Sequence, residues 1–194
     1  MRISFSEKEL VDLLWAWAVI SISFAIVLSR TPYGFFNFSE NLLVSSLSVG
    51  IAFLVHEIFH KILAQKYNCW AEFRKFDLGL ILALLFSFSG FIFAAPGAVF
   101  IFGFISEREN GKIAASGPFS NLILAFLFLA LGHFFKFENV LLSRIISHGF
   151  YINSWLAFFN LLPFPPLDGL KVINWSALAW IVMIGIAGFF VFYF

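Results

Sequence analysis

Residues 56–60 read His56-Glu57-Ile58-Phe59-His60, the pattern H-E-x-x-H. On a helix, histidines four residues apart lie on one face and can share a Zn²⁺, while the glutamate beside them can take a proton from water at the metal. With 4 His and 8 Glu in 194 residues, chance supplies about 0.003 such matches. The plainer explanation is a pair of neutral histidines hydrogen-bonded inside a helix bundle. It leaves Glu57 as a carboxylate in an apolar segment, which is costly unless function retains it.

A catalytic zinc usually has three protein ligands and one open position, so a third ligand is required. The one cysteine, Cys69, excludes a cysteine-based zinc cluster and an internal disulfide; with Trp70 beside it, it reads as an interfacial thiol. His133 and His148 lie near the ends of apolar stretches without ligand spacing, and read as interfacial or hydrogen-bonded histidines. Among the carboxylates that could approach, Asp12 sits in the first turns of an apolar stretch, and Glu107 and Glu109 lie in a polar loop. Asp168 stands apart in Asn160-Leu161-Leu162-Pro163-Phe164-Pro165-Pro166-Leu167-Asp168-Gly169. Three prolines in four residues break a helix, and irregular backbone at membrane depth survives only where protein or a water-filled cavity surrounds it. That reasoning puts Asp168 beside a cavity; a surface turn closing a helix hairpin would also explain the prolines and glycine. Two histidines and a carboxylate also suit Fe²⁺ with open positions. Ser116 and Ser120 have no recognisable base partner, which argues against a serine nucleophile.

The elements that must position these groups are apolar. The chain is 61% hydrophobic and 12% charged, whereas soluble domains carry about 45–50% apolar and about 25% charged residues. A water-soluble globule is excluded, and a net charge of +1 offers no basic surface for nucleic acid. Six stretches reach the roughly 20 residues needed to cross a bilayer: Leu10 to Ser29, Leu42 to Leu63, Leu78 to Ile105, Ile113 to Phe135, Leu141 to Leu162 and Leu170 to Phe194. Residues 1–194 read as one integral-membrane domain, without internal repeat, linker, or PDZ-like or CBS-like segment. Ser6 and Glu9 have capping-box spacing ahead of the first stretch, which reads as a retained span rather than a cleaved signal. The expected fold is an all-α polytopic membrane protein of five to six transmembrane helices, with a re-entrant segment or short β element after the second.

The third stretch decides between five and six. Ala94-Ala95-Pro96-Gly97-Ala98 interrupts it, and Val99-Phe100-Ile101-Phe102 is strand-like in residue type. If all six cross, the side bearing the N-terminus holds Arg2, Lys8, Lys61, Lys66, Arg74, Lys75, Lys136 and Arg144. If the third dips in and returns, that side holds Arg2, Lys8, Lys61, Lys66, Arg74, Lys75, Arg108, Lys112 and Lys171, leaving Arg30, Lys136 and Arg144 opposite. The second division fits the positive-inside rule better, and either makes the N-terminus cytoplasmic. Metal geometry agrees. Ligands about 2 Å from one ion share one depth, and only with the third stretch re-entrant does the fifth run inward to deliver Asp168 near His60.

Three motifs together carry a resemblance: His56-Glu57-x-x-His60, Gly117-Pro118-Phe119-Ser120-Asn121, and Asn160-x-x-Pro163 leading to Leu167-Asp168-Gly169. In this order and within membrane-length stretches, they resemble the signature motifs of the site-2 protease family of intramembrane zinc metalloproteases. The resemblance implies His56, His60 and Asp168 as ligands of one zinc, Glu57 as catalytic acid/base, and a membrane-re-entrant β element after the first motif. Buried amides are costly unless paired, and Asn121 and Asn160 are candidates to hold a substrate backbone or an oxyanion, or to bond helix to helix. Gly117-Pro118 is expected to bend its helix near the cleft.

The reading is thus a multi-pass cell-membrane metalloprotease, its site toward the cytoplasm, acting on other membrane proteins within the lipid bilayer. A metal transporter or sensor using the same ligands is the alternative from another class. A membrane metalloprotease acting on lipidated or soluble peptides is a further one, but that class draws its third ligand from a glutamate in a later helix, and no such glutamate is seen here.

Overall fold

The computed structural model describes residues 3–30, 37–92, 95–135 and 137–194; Arg2, Ala94 and Lys136, used in the reading above, lie outside them. Helix α1 (Glu7–Ser29) starts where the Ser6 side chain accepts from the Glu9 N–H at 3.1 Å. The expected capping box is only half made. Glu9 is drawn into the protein instead, its Oε2 accepting from Lys61 Nζ at 2.7 Å and its Oε1 from the Phe73 N–H at 2.9 Å. A buried carboxylate demands such partners more strongly than a helix end demands a second cap. The complete box lies elsewhere, at Ser106 and Glu109, where α5 begins.

Helix α2 (Phe38–Ser45) continues through a π turn at Ser46–Gly50 into α3 (Ile51–Lys66), which carries the H-E-x-x-H motif. A π turn misaligns backbone groups, and Trp17 Nε1 of α1 donates to Ser46 O at 3.2 Å there. Strand β1 (Trp70–Lys75) follows, then α4 (Asp77–Ser87), then β2 (Gly97–Phe102). The strands pair antiparallel with Trp70 opposite Phe102, Phe73 opposite Val99 and Lys75 opposite Gly97. The third apolar stretch is therefore an 11-residue helix followed by a strand that returns along β1.

Helix α5 (Glu107–Phe134) runs unbroken through Pro118, and α6 (Val140–Asn160) returns along it. The sixth apolar stretch is not one helix. It divides into α7 (Asp168–Trp175) and α8 (Ala177–Tyr193) at Ser176, whose extended backbone and side-chain bond to the Ala179 N–H cap a fresh helix. Among the described residues, three helical segments are long and apolar enough to cross a membrane: Glu7–Ser29, Phe38–Lys66 and Glu107–Phe134.

Small residues let α5, α6, α7 and α8 approach one another: Ala114, Ala125, Ala157 and Ala187 are buried with Phe150, Leu161, Val172 and Phe190. A second core joins α1, α3, β1 and α4 through Leu13, Ala16, Phe53, Phe73 and Leu80. Large side chains such as Leu14, Phe126, Ile181 and Phe192 face outward, as suits a chain whose solvent is hydrocarbon. The start of α1, the end of α3, the start of α5 and the end of α6 share one end of the molecule. Ser4 and Gln65 exchange hydrogen bonds, His60 meets Ile113, and Asp168 meets His60.

Candidate metal centre

His56 and His60 lie one turn apart on α3 with their rings 4.6 Å apart, and both are buried. Asp168 is brought to them by the proline-broken loop that ends α6. Gly169 packs so tightly on the Leu161 carbonyl that a Cβ would collide with it, which lets the first turn of α7 reach the site. Asp168 Oδ2 lies 3.4 Å from His56 Nε2 and 3.1 Å from His60 Nε2, and the two Nε2 atoms are 3.0 Å apart. Candidate ligand atoms of the three residues all fall within 4.8 Å of one another. Asp12, Glu107 and Glu109, the other carboxylates weighed from sequence, are not part of the cluster.

The far side of each imidazole defines what this cluster is for. His60 Nδ1 lies 2.8 Å from the carbonyl of Ile113, which only accepts, so Nδ1 carries the proton. His56 Nδ1 lies 2.7 Å from Asn121 Oδ1. The Asn121 amide is oriented by its own donations from Nδ2 to Ala52 O at 3.1 Å and to Asn153 Oδ1 at 2.9 Å, so His56 Nδ1 is protonated as well. With Nδ1 taken up by these partners, each ring has Nε2 left to turn toward the other and toward a carboxylate oxygen. One proton can bridge two of these acceptors at a time, whereas a divalent cation bonds all three, so the donor set fits a zinc ion.

Gly117 of α5 leaves the room. A Cβ there would run into the Nε2 atoms of both histidines and Cε1 of His60, so the close approach of α5 to α3 requires glycine. Glu57 stands beside the cluster, and the Val99 backbone N–H of β2 faces it. Lys171, one turn after Asp168, holds Nζ 4.0 Å from the carboxylate oxygen that faces away from the histidines.

The expected amides separate. Asn121 is fully buried and already uses its polar atoms on His56, Ala52 and Asn153, so it is a helix-to-helix and ligand-orienting group rather than one open to a substrate backbone. Asn160 ends α6 and donates Nδ2 to Leu156 O of its own helix at 2.9 Å, outside the His-His-Asp cluster. Asn153, which sequence reasoning passed over, completes the chain of amides by donating to Gly149 O at 2.8 Å. The signal available was a carboxamide in the middle of an apolar stretch.

The weaker candidates are accounted for locally. His148 Nδ1 contacts Arg144 O at 2.9 Å, His133 packs edge-on against Phe134, and Ser116 and Ser120 donate to carbonyls of their own helix. Cys69 is buried between α3 and β1, where burial and the nearby Glu109 carboxylate push its thiol pKa up.

A helical chain with three spans' worth of apolar helix, and a His-His-carboxylate site flanked by a glutamate, defines the class of zinc metalloproteases. The sequence comparisons agree. The chain is 41% identical over 182 residues to the Methanocaldococcus jannaschii protein named "Putative zinc metalloprotease MJ0611", covering 92% of this chain and 90% of that one. It is 33% identical over 144 residues, 64% of each chain, to the Bacillus subtilis protein named "Putative zinc metalloprotease YwhC". This chain belongs to the zinc metalloprotease family of these relatives, and its cofactor is one zinc. No family model matches it, and no solved structure gives a significant match.

Proposed function

We propose that this protein is an intramembrane zinc metalloprotease of the site-2 protease kind, cutting peptide bonds in or near the transmembrane segments of other membrane proteins. One observation carries the reading: His56 and His60 of the cluster lie on a helical segment that is itself long and apolar enough to cross a membrane, and Asp168 is brought against them. The cluster sits toward the molecular end that gathers the start of α1, the end of α3 and the start of α5, where Lys8, Lys61, Lys66, Arg108, Lys112 and Lys171 concentrate. Arg30 and Arg144 mark the other end. By the positive-inside rule, the end nearer the cluster is the cytoplasmic one, in the cell membrane.

His56, His60 and Asp168 would hold the zinc, which when bound polarises the scissile carbonyl and acidifies water. Glu57 receives the proton of the attacking water and returns it to the departing amine nitrogen. The Val99 N–H, directed at Glu57, and the Phe73 N–H, bonded to Glu9 on the opposite side, make this opposed pair one that does not bond across the ladder. The backbone groups of Val99 and, two residues on, Ile101 therefore point to the unpaired edge of β2. A transmembrane helix hides its backbone in its own hydrogen bonds; a locally unwound substrate that adds as a strand at this edge regains bonds and lies beside Glu57. Asn160, at the mouth of the Pro163–Asp168 loop, is the candidate side chain to hold it from the other side.

The test is Glu57→Gln in liposomes carrying a membrane-embedded substrate. The variant should bind zinc as the wild type does and leave the substrate uncut. Cleavage at the wild-type rate would refute the catalytic assignment, and zinc flux without cleavage in the wild type would establish a transporter instead.

A further inference from the structure

The buried amides behind His56 form a continuous chain across three helices. His56 on α3 donates from Nδ1 to Asn121 on α5, Asn121 donates to Asn153 on α6, and Asn153 donates to the Gly149 carbonyl. His56 is 5% exposed and both asparagines are 0% exposed, so water does not complete any of these bonds. His60 needs no such device, because its Nδ1 meets a backbone carbonyl, which has only one chemical sense.

An amide has two senses. With the oxygen of Asn121 toward His56, the ring keeps its proton on Nδ1 and offers Nε2 to the metal. With the amide turned over, its NH₂ would face His56 Nδ1, that nitrogen would have to accept, and the proton would sit on Nε2, where it blocks ligation. The first sense is fixed because both hydrogens of Asn121 Nδ2 are claimed by oxygens, Ala52 O and Asn153 Oδ1. Asn153 cannot turn over either, since its own Nδ2 is held by Gly149 O at 2.8 Å.

We propose that Asn153 is a positioning residue for the metal centre: through Asn121 it sets the tautomer of His56, and so the affinity for zinc, from a helix that supplies no ligand. The proposal rests on the zinc site alone and not on which peptide bond is cut, so zinc affinity tests it whether or not the proteolytic reading holds. Outer partners of ligating histidines are worth about 10–100-fold in metal affinity, and Asn121→Ala should lose that much.

Asn153→Ala should lose a similar amount, with zinc Kd measured by chelator competition on full-length protein in detergent. Asn153→Ser should fold, because its hydroxyl can return to the Gly149 carbonyl, yet it is too short to reach Asn121 and should also bind zinc at least about tenfold more weakly. Asn153→Asp, protonated in this buried setting, keeps an acceptor for Asn121 and a donor for Gly149 and should restore affinity to within about threefold of wild type. Because Asn153 acts through Asn121, the double Asn121→Ala/Asn153→Ala protein should bind no more weakly than Asn121→Ala alone. The visible spectrum of bound Co²⁺ should change in Asn153→Ser and return in Asn153→Asp. Wild-type zinc affinity in Asn153→Ser, or losses that multiply in the double variant, would overturn the proposal by showing that Asn153 only packs α6 against α5.

Discussion

Gly117→Ala isolates the space that the metal centre needs. Two effects oppose each other. Alanine is a better helix former than glycine by about 0.8–1.0 kcal/mol, which favours α5 in both the metal-free and the metal-bound protein and so cancels from zinc affinity. The added Cβ collides with Nε2 of His56 and of His60 and with Cε1 of His60, atoms at the ends of side chains. In the metal-free protein those rings can turn aside only by straining their Nδ1 bonds to Asn121 Oδ1 and Ile113 O, a cost that the helix gain of alanine offsets. With zinc bound they are tied to the ion and to Asp168, and the overpacking penalty of about 1–3 kcal/mol is felt in full. At about 1.4 kcal/mol per tenfold, zinc affinity should fall at least several-fold and at most about 150-fold, while thermal stability of the metal-free protein changes little. Chelator competition in detergent measures the first and circular dichroism melting the second. Gly185→Ala, at a helical glycine with nothing within 4 Å of the added Cβ, is the control and should leave zinc affinity unchanged. Wild-type affinity in Gly117→Ala would refute the view that α5 is held against the ligands by the absence of a side chain.

Two further outcomes follow from the geometry. Lys61→Met strands the fully buried Glu9 carboxylate and should cost about 3–5 kcal/mol in unfolding measurements, with much of the loss recovered in Glu9→Gln/Lys61→Met; equal stability of the single variant would contradict it. Ile101→Pro removes a donor from the open edge of β2 and should abolish substrate cleavage with zinc content intact, whereas Phe100→Pro removes one that faces β1 and should loosen the strand pair itself; full activity of Ile101→Pro would show that substrate is held elsewhere.

The histidines were legible because helical spacing alone puts them on one face, Glu57 because it adjoins them in the H-E-x-x-H pattern, and Asp168 because three prolines in an apolar stretch demand a sheltered loop. The doubling back of the third stretch was legible from Pro96-Gly97 and the β-branched and aromatic run after it. Its partner strand was not: Trp70-Ala71-Glu72-Phe73-Arg74-Lys75 lies outside the apolar stretches, and is a strand because it pairs with β2 on one edge while Glu9 takes the Phe73 N–H on the other. The division of the last stretch hung on Ser176, whose capping bond to the Ala179 N–H exists only once α7 has ended at Trp175. Asn121 was singled out from its motif but not its place behind His56, and Asn153 was passed over, because hydrogen-bond partners on three different helices leave no trace in sequence spacing.

The most direct measurement is zinc per chain in protein purified without added metal, with His60→Ala and Asp168→Ala alongside. The account predicts one zinc in the wild type and a comparable loss in both variants. Full zinc in Asp168→Ala, or a wild type that carries iron in its place, would contradict it.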